Sequence, residues 1–221
     1  MYRSLAAALI VIALTCGSGR DPAAQPSTYG DAMRWYEREA AKGSAKARYF
    51  LGLLYERGGG PRTKDLAKAF QWFAKAAAQG HARAQYKISR AYQFGLGTVS
   101  DPEKAVLWYR RAAGQGLPEA QHNLAYMLEN AVSTERSPDE AVRWYREAAE
   151  SGFGPSQFAL GSVYMRGMGV ERNLAEAWAW LRAAESRQVA GAGEARAALE
   201  KEMTPEEMSQ ARKMAELRSP R

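Results

Sequence analysis

The sequence contains little cysteine and histidine, and this scarcity excludes several kinds of site. Cys16 is the only cysteine among 221 residues, so the chain cannot form an intrachain disulfide. His81 and His122 are the only histidines and stand 41 residues apart, and no His-Glu-x-x-His spacing supports a metal site. Ser-x-x-Lys, Gly-x-Ser-x-Gly and phosphate-binding loop patterns are also missing. We therefore expect no catalytic, cofactor-binding or metal-binding residues, no cofactor and no enzymatic activity.

No block of five or six residues of like charge stands in the sequence. The chain has 31 basic and 24 acidic residues, which give a formal net charge of +7. Basic and acidic residues alternate along the predicted helices, as in Glu37-Arg38-Glu39, and blocks of like charge are missing. Nucleic acid is therefore not an expected partner.

A single apolar run stands near the N-terminus. Residues 5–14 follow Arg3 and form ten apolar positions, which is too short to span a bilayer comfortably and is typical of a signal-peptide core. The alternative is an N-terminal helix packed on the rest of the chain, but Cys16-Gly17-Ser18-Gly19 breaks the pattern at once. We expect a signal peptide over residues 1–16, a flexible linker over 17–30, and export to the bacterial periplasm.

Cys16 follows the apolar run directly, as the lipidated cysteine does in bacterial lipoprotein signals. The match is incomplete, because Leu14 stands one place too late and Thr15 replaces the usual Gly or Ala. Lipidation at Cys16 and plain export therefore both stay open. Membrane contact is expected only through such an anchor.

Tryptophan recurs at a fixed period. Five tryptophans stand 37, 36, 36 and 36 residues apart: Trp35, Trp72, Trp108, Trp144 and Trp180. Such a period is typical of solenoids, whose units bury their apolar faces only by stacking on their neighbours. We expect an all-α, right-handed solenoid of helix-turn-helix repeats, with about four full repeats plus terminal helices, in a monomeric protein.

The first helix of each predicted repeat carries Ala-x-x-x-Leu-(small)-x-x-Tyr. In the first repeat these residues are Ala47, Leu51, Gly52 and Tyr55. Their offsets fall on one stripe of a helix, which predicts a buried seam, and the small residue lets the partner helix approach closely. Glycines then end the helix, as in Gly95-Leu96-Gly97 and Gly167-Met168-Gly169, because glycine adopts the left-handed conformation at little cost.

The second helix carries Ala-x-x-Trp-aromatic-x-x-Ala-Ala. The first copy is Ala69, Trp72, Phe73, Ala76 and Ala77. We expect the tryptophan row to be core, with each buried aromatic contributing roughly 1.5–3 kcal/mol. Asp65 and Asn173 are predicted N-caps, and Ser137-Pro138-Asp139-Glu140 and Thr204-Pro205-Glu206-Glu207 are predicted capping boxes.

These motifs in register resemble the Sel-one-like repeat, a longer relative of the tetratricopeptide repeat, over residues 31 to about 187. The resemblance implies an adaptor or regulator that holds protein partners, since members of this family typically do so and many are exported from bacteria. Some cysteine-rich exported members have been linked to β-lactam binding or hydrolysis. This chain lacks their cysteine pairs, so that activity is not implied.

The predicted array has irregular ends and one irregular turn. We expect the solenoid to occupy residues 31–203, beginning with a lone second helix, and a C-terminal capping helix and tail to occupy 204–221. In the third repeat, the turn over 130–136 has lost both glycines, and Asn130 is expected to supply the left-handed position. This departure is either drift in a loop or a reshaped partner contact.

First helices line the concave surface in tetratricopeptide arrays, and helical phase gives the positions opposite the buried seam. The candidate partner-binding residues are Tyr49, Arg57, Tyr86, Arg90, Phe94, His122, Tyr126 and Phe158. Aromatic residues with arginine are the composition of interface hot spots. The alternative is that the row of Tyr49, Tyr86, His122 and Phe158 belongs to the repeat pattern and packs sideways between units.

The predicted function is a protein-protein interaction scaffold or adaptor in the bacterial cell envelope, with the partner held on the concave face. An alternative of the same kind is a periplasmic regulator of a membrane signalling protein. An alternative of another class is a cell-wall or β-lactam hydrolase, which the missing catalytic patterns disfavour.

Overall fold

The computed structural model describes residues 29–58, 63–130, 132 and 137–218. The predicted signal peptide, Cys16, residues 17–28 of the linker, most of the third turn and residues 219–221 of the tail lie outside these residues. Within the described ranges, the chain forms eleven α-helices and no strand, which confirms the all-α class. They are α1 (Tyr29–Ala41), α2 (Ala45–Arg57), α3 (Leu66–Ala77), α4 (Ala82–Phe94), α5 (Pro102–Ala113), α6 (Pro118–Glu129), α7 (Pro138–Glu150), α8 (Gly154–Arg166), α9 (Leu174–Ser186), α10 (Ala192–Glu200) and α11 (Pro205–Arg218).

The helices belong to two compact units, divided after Asp101. In the first unit, each of α1 to α4 packs on the next, and Tyr36, Phe50 and Leu51 lie in a shared core. Helix α1 is the lone second helix, and it begins at Tyr29 rather than at Asp31.

In the second unit, α5 to α9 pack in chain order, and α9 also contacts α10 and α11. Ala211 of α11 is buried in a core cluster with Trp178 and Leu199, so the last helix covers α9 as a cap. Leu217 fits the helical spacing of that cap but is 89% exposed.

In α1, α3, α5 and α7 the buried aromatic is the residue that follows the tryptophan. Trp35, Trp72, Trp108 and Trp144 are only half-buried, and the prediction of a tryptophan core is right for Trp180 alone. The fully packed side chains are Tyr36, Phe73, Tyr109, Tyr145 and Leu181. Cations cover two of the tryptophan rings instead, because Lys75 and Arg111 lie 4.4 and 4.3 Å from the centroids of Trp72 and Trp108.

The predicted seam is confirmed. Its small residues allow the close approach of the partner helix, as expected. Leu51 and Leu160 are fully buried. A Cβ on Gly161 would lie 2.8 Å from Cγ of Leu181, and a Cβ on Gly52 would overlap the ring of Phe73. In the first and fourth repeats, the first helix therefore approaches its partner at a distance that only glycine permits, whereas Ser89 and Ala125 occupy this position in the second and third.

The two glycines of a turn have different structural roles. Gly95 and Gly167 end their helices in the left-handed conformation, as predicted, with φ of +67° at both. A Cβ on Gly169 would lie 2.5 Å from the carbonyl carbon of Pro138, so the second glycine lets the turn lie on the start of α7. Asn130 does not take the left-handed position, since its φ is −98°.

Three of the four predicted helix starts are confirmed. Asp65 and Asn173 accept the expected N–H bonds, and Thr204 and Glu207 form a reciprocal capping box. The box at Ser137 is wrong, because its side chain makes no cap bond. Glu140 instead accepts hydrogen bonds from Nε1 of Trp144 at 3.2 Å and from Arg110 at 2.9 Å.

Candidate functional site

In the first unit, only part of the predicted face is open to a partner. Tyr49 is half-buried, and its ring stacks on His81 at 4.6 Å and lies 5.8 Å from Phe73. These contacts agree with the alternative in which this aromatic packs sideways. Arg57, at the end of α2, is exposed.

Helix α4 carries the other exposed group of this unit. Phe94 is 58% exposed at the end of the helix, and the guanidinium carbon of Arg90 lies 5.9 Å from its ring centroid. Tyr86 is half-buried one turn before Arg90. Stacking on the ring restricts the Arg90 side chain, so less entropy is lost when that guanidinium binds a ligand.

In the second unit, two predicted site residues pack inward. His122 is half-buried, its Nδ1 lies 3.0 Å from Oγ of Ser156, and its ring lies 5.4 Å from Tyr145 and 5.6 Å from Phe153. Phe158 packs against the core cluster around α9. Part of each side chain is therefore in contact with neighbouring helices.

Tyr126 is the exposed aromatic of this unit, at 50% exposure on α6. The next turn of α6 carries Glu129, whose carboxylate accepts hydrogen bonds from the Tyr145 hydroxyl and from Arg166, both at 3.0 Å. Burial, together with the Glu129 charge, raises the pKa of Tyr145 far above its ordinary value. The ion pair between Glu129 and Arg166 therefore lies one helical turn from Tyr126.

The first helices differ in charge between the units. Helices α2 and α4 carry one carboxylate, Glu56, and six cations: Lys46, Arg48, Arg57, Arg83, Lys87 and Arg90. Helices α6 and α8 carry two carboxylates, Glu119 and Glu129, and one cation, Arg166. Among these four first helices, the excess of cations is therefore confined to the two in the first unit.

A row of polar side chains that was not predicted from the sequence joins each first helix to the preceding second helix. Gln85, Gln121 and Gln157 donate from Nε2 to the carbonyls of Ala77, Ala113 and Ala149 at 3.3, 3.3 and 3.1 Å. Arg48 does the same to Ala40 at 3.3 Å. Each bond satisfies a carbonyl near a helix end. The sequence contains a signal for this row, because Arg48 and the three glutamines recur at the same spacing as the first four tryptophans.

The described residues contain no candidate metal site and two histidines with a lowered pKa. Among them, no three His, Cys, Asp or Glu side chains are grouped so that they could hold a metal ion. Burial lowers the pKa of both His81 and His122. Within the same part of the chain, no helix is both long and apolar enough to cross a membrane.

His81 makes stability depend on pH. Its Nδ1 accepts the N–H of Ala84 at 3.2 Å as the N-cap of α4, and burial, assisted by the charges of Arg83 and Lys46, lowers its pKa. The unfolded chain therefore binds the proton more readily. The contribution of His81 to stability is complete above its unfolded pKa of about 6.5 and is lost as pH falls through the lower folded pKa.

Urea unfolding at about pH 7.5 and about pH 5.5 measures this effect. His81→Ser keeps a cap of the type that Ser44 gives α2, so it is expected to lose less stability on acidification than the wild type. His81→Ala removes the cap and is expected to cost about 1 kcal/mol at the higher pH. If His81→Ser and the wild type lose the same stability on acidification, a group other than His81 causes the pH dependence.

The chain matches the Sel1 repeat in four consecutive copies, over residues 45–81, 82–117, 118–153 and 154–187. These copies correspond to the pairs α2–α3, α4–α5, α6–α7 and α8–α9. No protein with a curated description matches the chain.

Two solved structures resemble the chain at 30% identity or more. One is a protective antigen present in uropathogenic Escherichia coli strains and displaying an SLR fold, with 32% identity and a TM-score of 0.80 over 96% of this chain and 43% of that one. This chain therefore spans less than half the length of that antigen. The other is a Sel1 repeat protein from Oxalobacter formigenes, with 30% identity and a TM-score of 0.70 over 86% of this chain and 76% of that one. The four matched copies and these likenesses establish that the chain belongs to the Sel1 repeat family, as an all-α solenoid of about four repeats.

Proposed function

We propose that the chain is a non-enzymatic binding protein that holds a partner protein on the exposed side of its first helices. The observation that carries the proposal is the position of Phe94 and Tyr126, two large, exposed aromatics on first helices. Arg90 lies against the first. Exposed aromatics with arginine are typical of binding hot spots, and the Sel1 repeat fold commonly mediates protein-protein interaction.

The proposed setting is the bacterial cell envelope, where the chain acts as an adaptor. The apolar run over residues 5–14, preceded by Arg3 and followed by Cys16, supports export. A lipid on Cys16 would hold the binding surface near a membrane.

Affinity capture from a bacterium that expresses the tagged full-length chain tests this function. We expect the tagged chain in the periplasmic or membrane fraction, with a co-purifying protein that Phe94→Ala/Tyr126→Ala loses. Removing hot-spot side chains is expected to weaken binding by about 30-fold or more, equivalent to about 2 kcal/mol. Helicity measured by circular dichroism should be unchanged, because both side chains are largely exposed.

Leu107→Ala is the matched control, since Leu107 is 48% exposed but stands on the second helix α5. This variant should retain the captured protein. Equal loss in the control and the double variant would contradict the proposed surface. Turnover of a chromogenic β-lactam or of peptidoglycan by the purified chain would contradict a non-enzymatic role.

A further inference from the structure

The first helices of the first unit lie side by side and present one continuous surface. The Tyr49 ring on α2 stacks on His81 at the start of α4, at 4.6 Å. Further along, Nζ of Lys87 on α4 lies 2.6 Å from a carboxylate oxygen of Glu56 on α2. The exposed sides of α2 and α4 are therefore adjacent, and we call them together the basic surface, formed by Lys46, Leu53, Arg57, Arg83, Arg90 and Phe94.

The cations of the basic surface lack acidic partners within the described chain. Glu56 is the only carboxylate on these two helices, and Lys87 already pairs with it. Arg48 is directed to the carbonyl of Ala40. Lys46, Arg57, Arg83 and Arg90 make no ion pair among the described residues, and the first three are exposed. The uncompensated charge attracts a ligand of opposite sign.

The basic surface also has an apolar part. Phe94 is 58% exposed beside Arg90, and the half-buried Leu53 packs against the core of this unit while part of it reaches the surface. Burying Phe94 requires an apolar or aromatic group on the ligand, which the phosphate backbone of a duplex does not supply. The cations are separate side chains on two helices rather than a block of like charge, which disfavours nucleic acid.

We propose that the basic surface binds an acidic segment of the partner protein that contains an aromatic or aliphatic side chain. Its carboxylates pair with Arg57 and Arg90, and its apolar side chain covers Phe94. Arginine suits this role because its planar guanidinium makes two parallel hydrogen bonds to a carboxylate. This inference rests on the proposed function and names the chemistry of the partner.

Binding of the purified chain to arrays of short peptides tests this inference. The peptides share one phenylalanine and differ in carrying acidic, amide or basic residues around it. We expect the wild type to retain the acidic set and to release it as salt is raised. Arg57→Glu/Arg90→Glu should weaken that binding by about tenfold or more, and Phe94→Ala should weaken it without changing the salt dependence.

Arg38→Glu/Arg143→Glu is the matched control. It makes the same change of charge at exposed positions on two second helices, α1 and α7. This variant should keep the acidic peptides. Equal binding of amide and acidic peptides, or equal loss in both double variants, would overturn the inference. Tighter binding of single-stranded DNA or of anionic phosphatidylglycerol vesicles, lost in Arg57→Glu/Arg90→Glu, would also overturn it and assign the surface to another ligand.

The capture experiment separates this inference from the proposed function. If a captured protein depends on Tyr126 but binds Arg57→Glu/Arg90→Glu as well as the wild type, the basic surface does not hold the partner and the proposed function stands. If no protein depends on Phe94 or Tyr126, the proposed function fails as well.

Discussion

Tyr109→Ala is expected to lower the free energy of unfolding by about 3–5 kcal/mol, because it empties a fully packed site. The Tyr109 side chain is 0% exposed, and its hydroxyl accepts a hydrogen bond from Nδ2 of Asn123 at 3.2 Å. Truncation removes the apolar contacts of the ring and leaves a cavity beside an amide that loses a partner. Urea unfolding followed by circular dichroism measures the loss.

Trp108→Ala is the informative comparison, since it removes a larger side chain from the adjacent position. Trp108 is half-buried, and the guanidinium carbon of Arg111 lies 4.3 Å from its ring centroid. We expect a loss of about 1–2 kcal/mol, because water already reaches part of the ring. A larger loss for Trp108→Ala than for Tyr109→Ala would show that the tryptophan row is the main core after all.

Gly169→Ala is expected to lower the free energy of unfolding by about 3 kcal/mol, through backbone conformation and close approach together. Gly169 has a φ of +69°, and an added Cβ would lie 2.5 Å from the carbonyl carbon of Pro138 and 2.9 Å from the backbone nitrogen of Asp139. Because these are backbone atoms at the start of α7, the turn must move away from the helix.

Gly116→Ala separates the two causes. Gly116 has a similar φ of +77°, but an added Cβ would meet nothing within 4 Å. Only the conformational cost applies, so we expect a loss of about 1 kcal/mol. Thermal or urea unfolding of both variants gives the comparison, and equal losses would show that the approach to Pro138 has no energetic importance.

The sequence was sufficient to predict the fold because the repeat is a local pattern. The seam through Leu51 and Leu160, the glycine ends at Gly95 and Gly167, and the N-caps Asp65 and Asn173 each follow from spacing or backbone chemistry within one helix. The caps and the glycine ends depend little on the neighbouring repeats, and the seam recurs at the same positions in every repeat.

The candidate site stays a prediction, because adjacent repeats decide which side chains are exposed and helical phase does not show those contacts. Tyr49, His122 and Phe158 are half-buried, and each packs in part against a neighbouring helix. Trp108 and Tyr109 are adjacent residues about 100° apart around the helix, and the alanine stripe of Ala105, Ala112 and Ala113 runs closer to Tyr109. The row that begins with Arg48 and Gln85 has a visible spacing, but spacing alone does not show that a polar side chain bonds to the end of another helix.

Oxidative footprinting of the chain with its captured partner tests the central claim most directly. Phe94, Tyr126 and Leu107 have similar exposed fractions of 58%, 50% and 48%, but only Leu107 stands on a second helix. We predict that the partner protects Phe94 and Tyr126 from labelling and leaves Leu107 unchanged. Protection of Leu107 with full labelling of Phe94 and Tyr126 would contradict binding through the first helices.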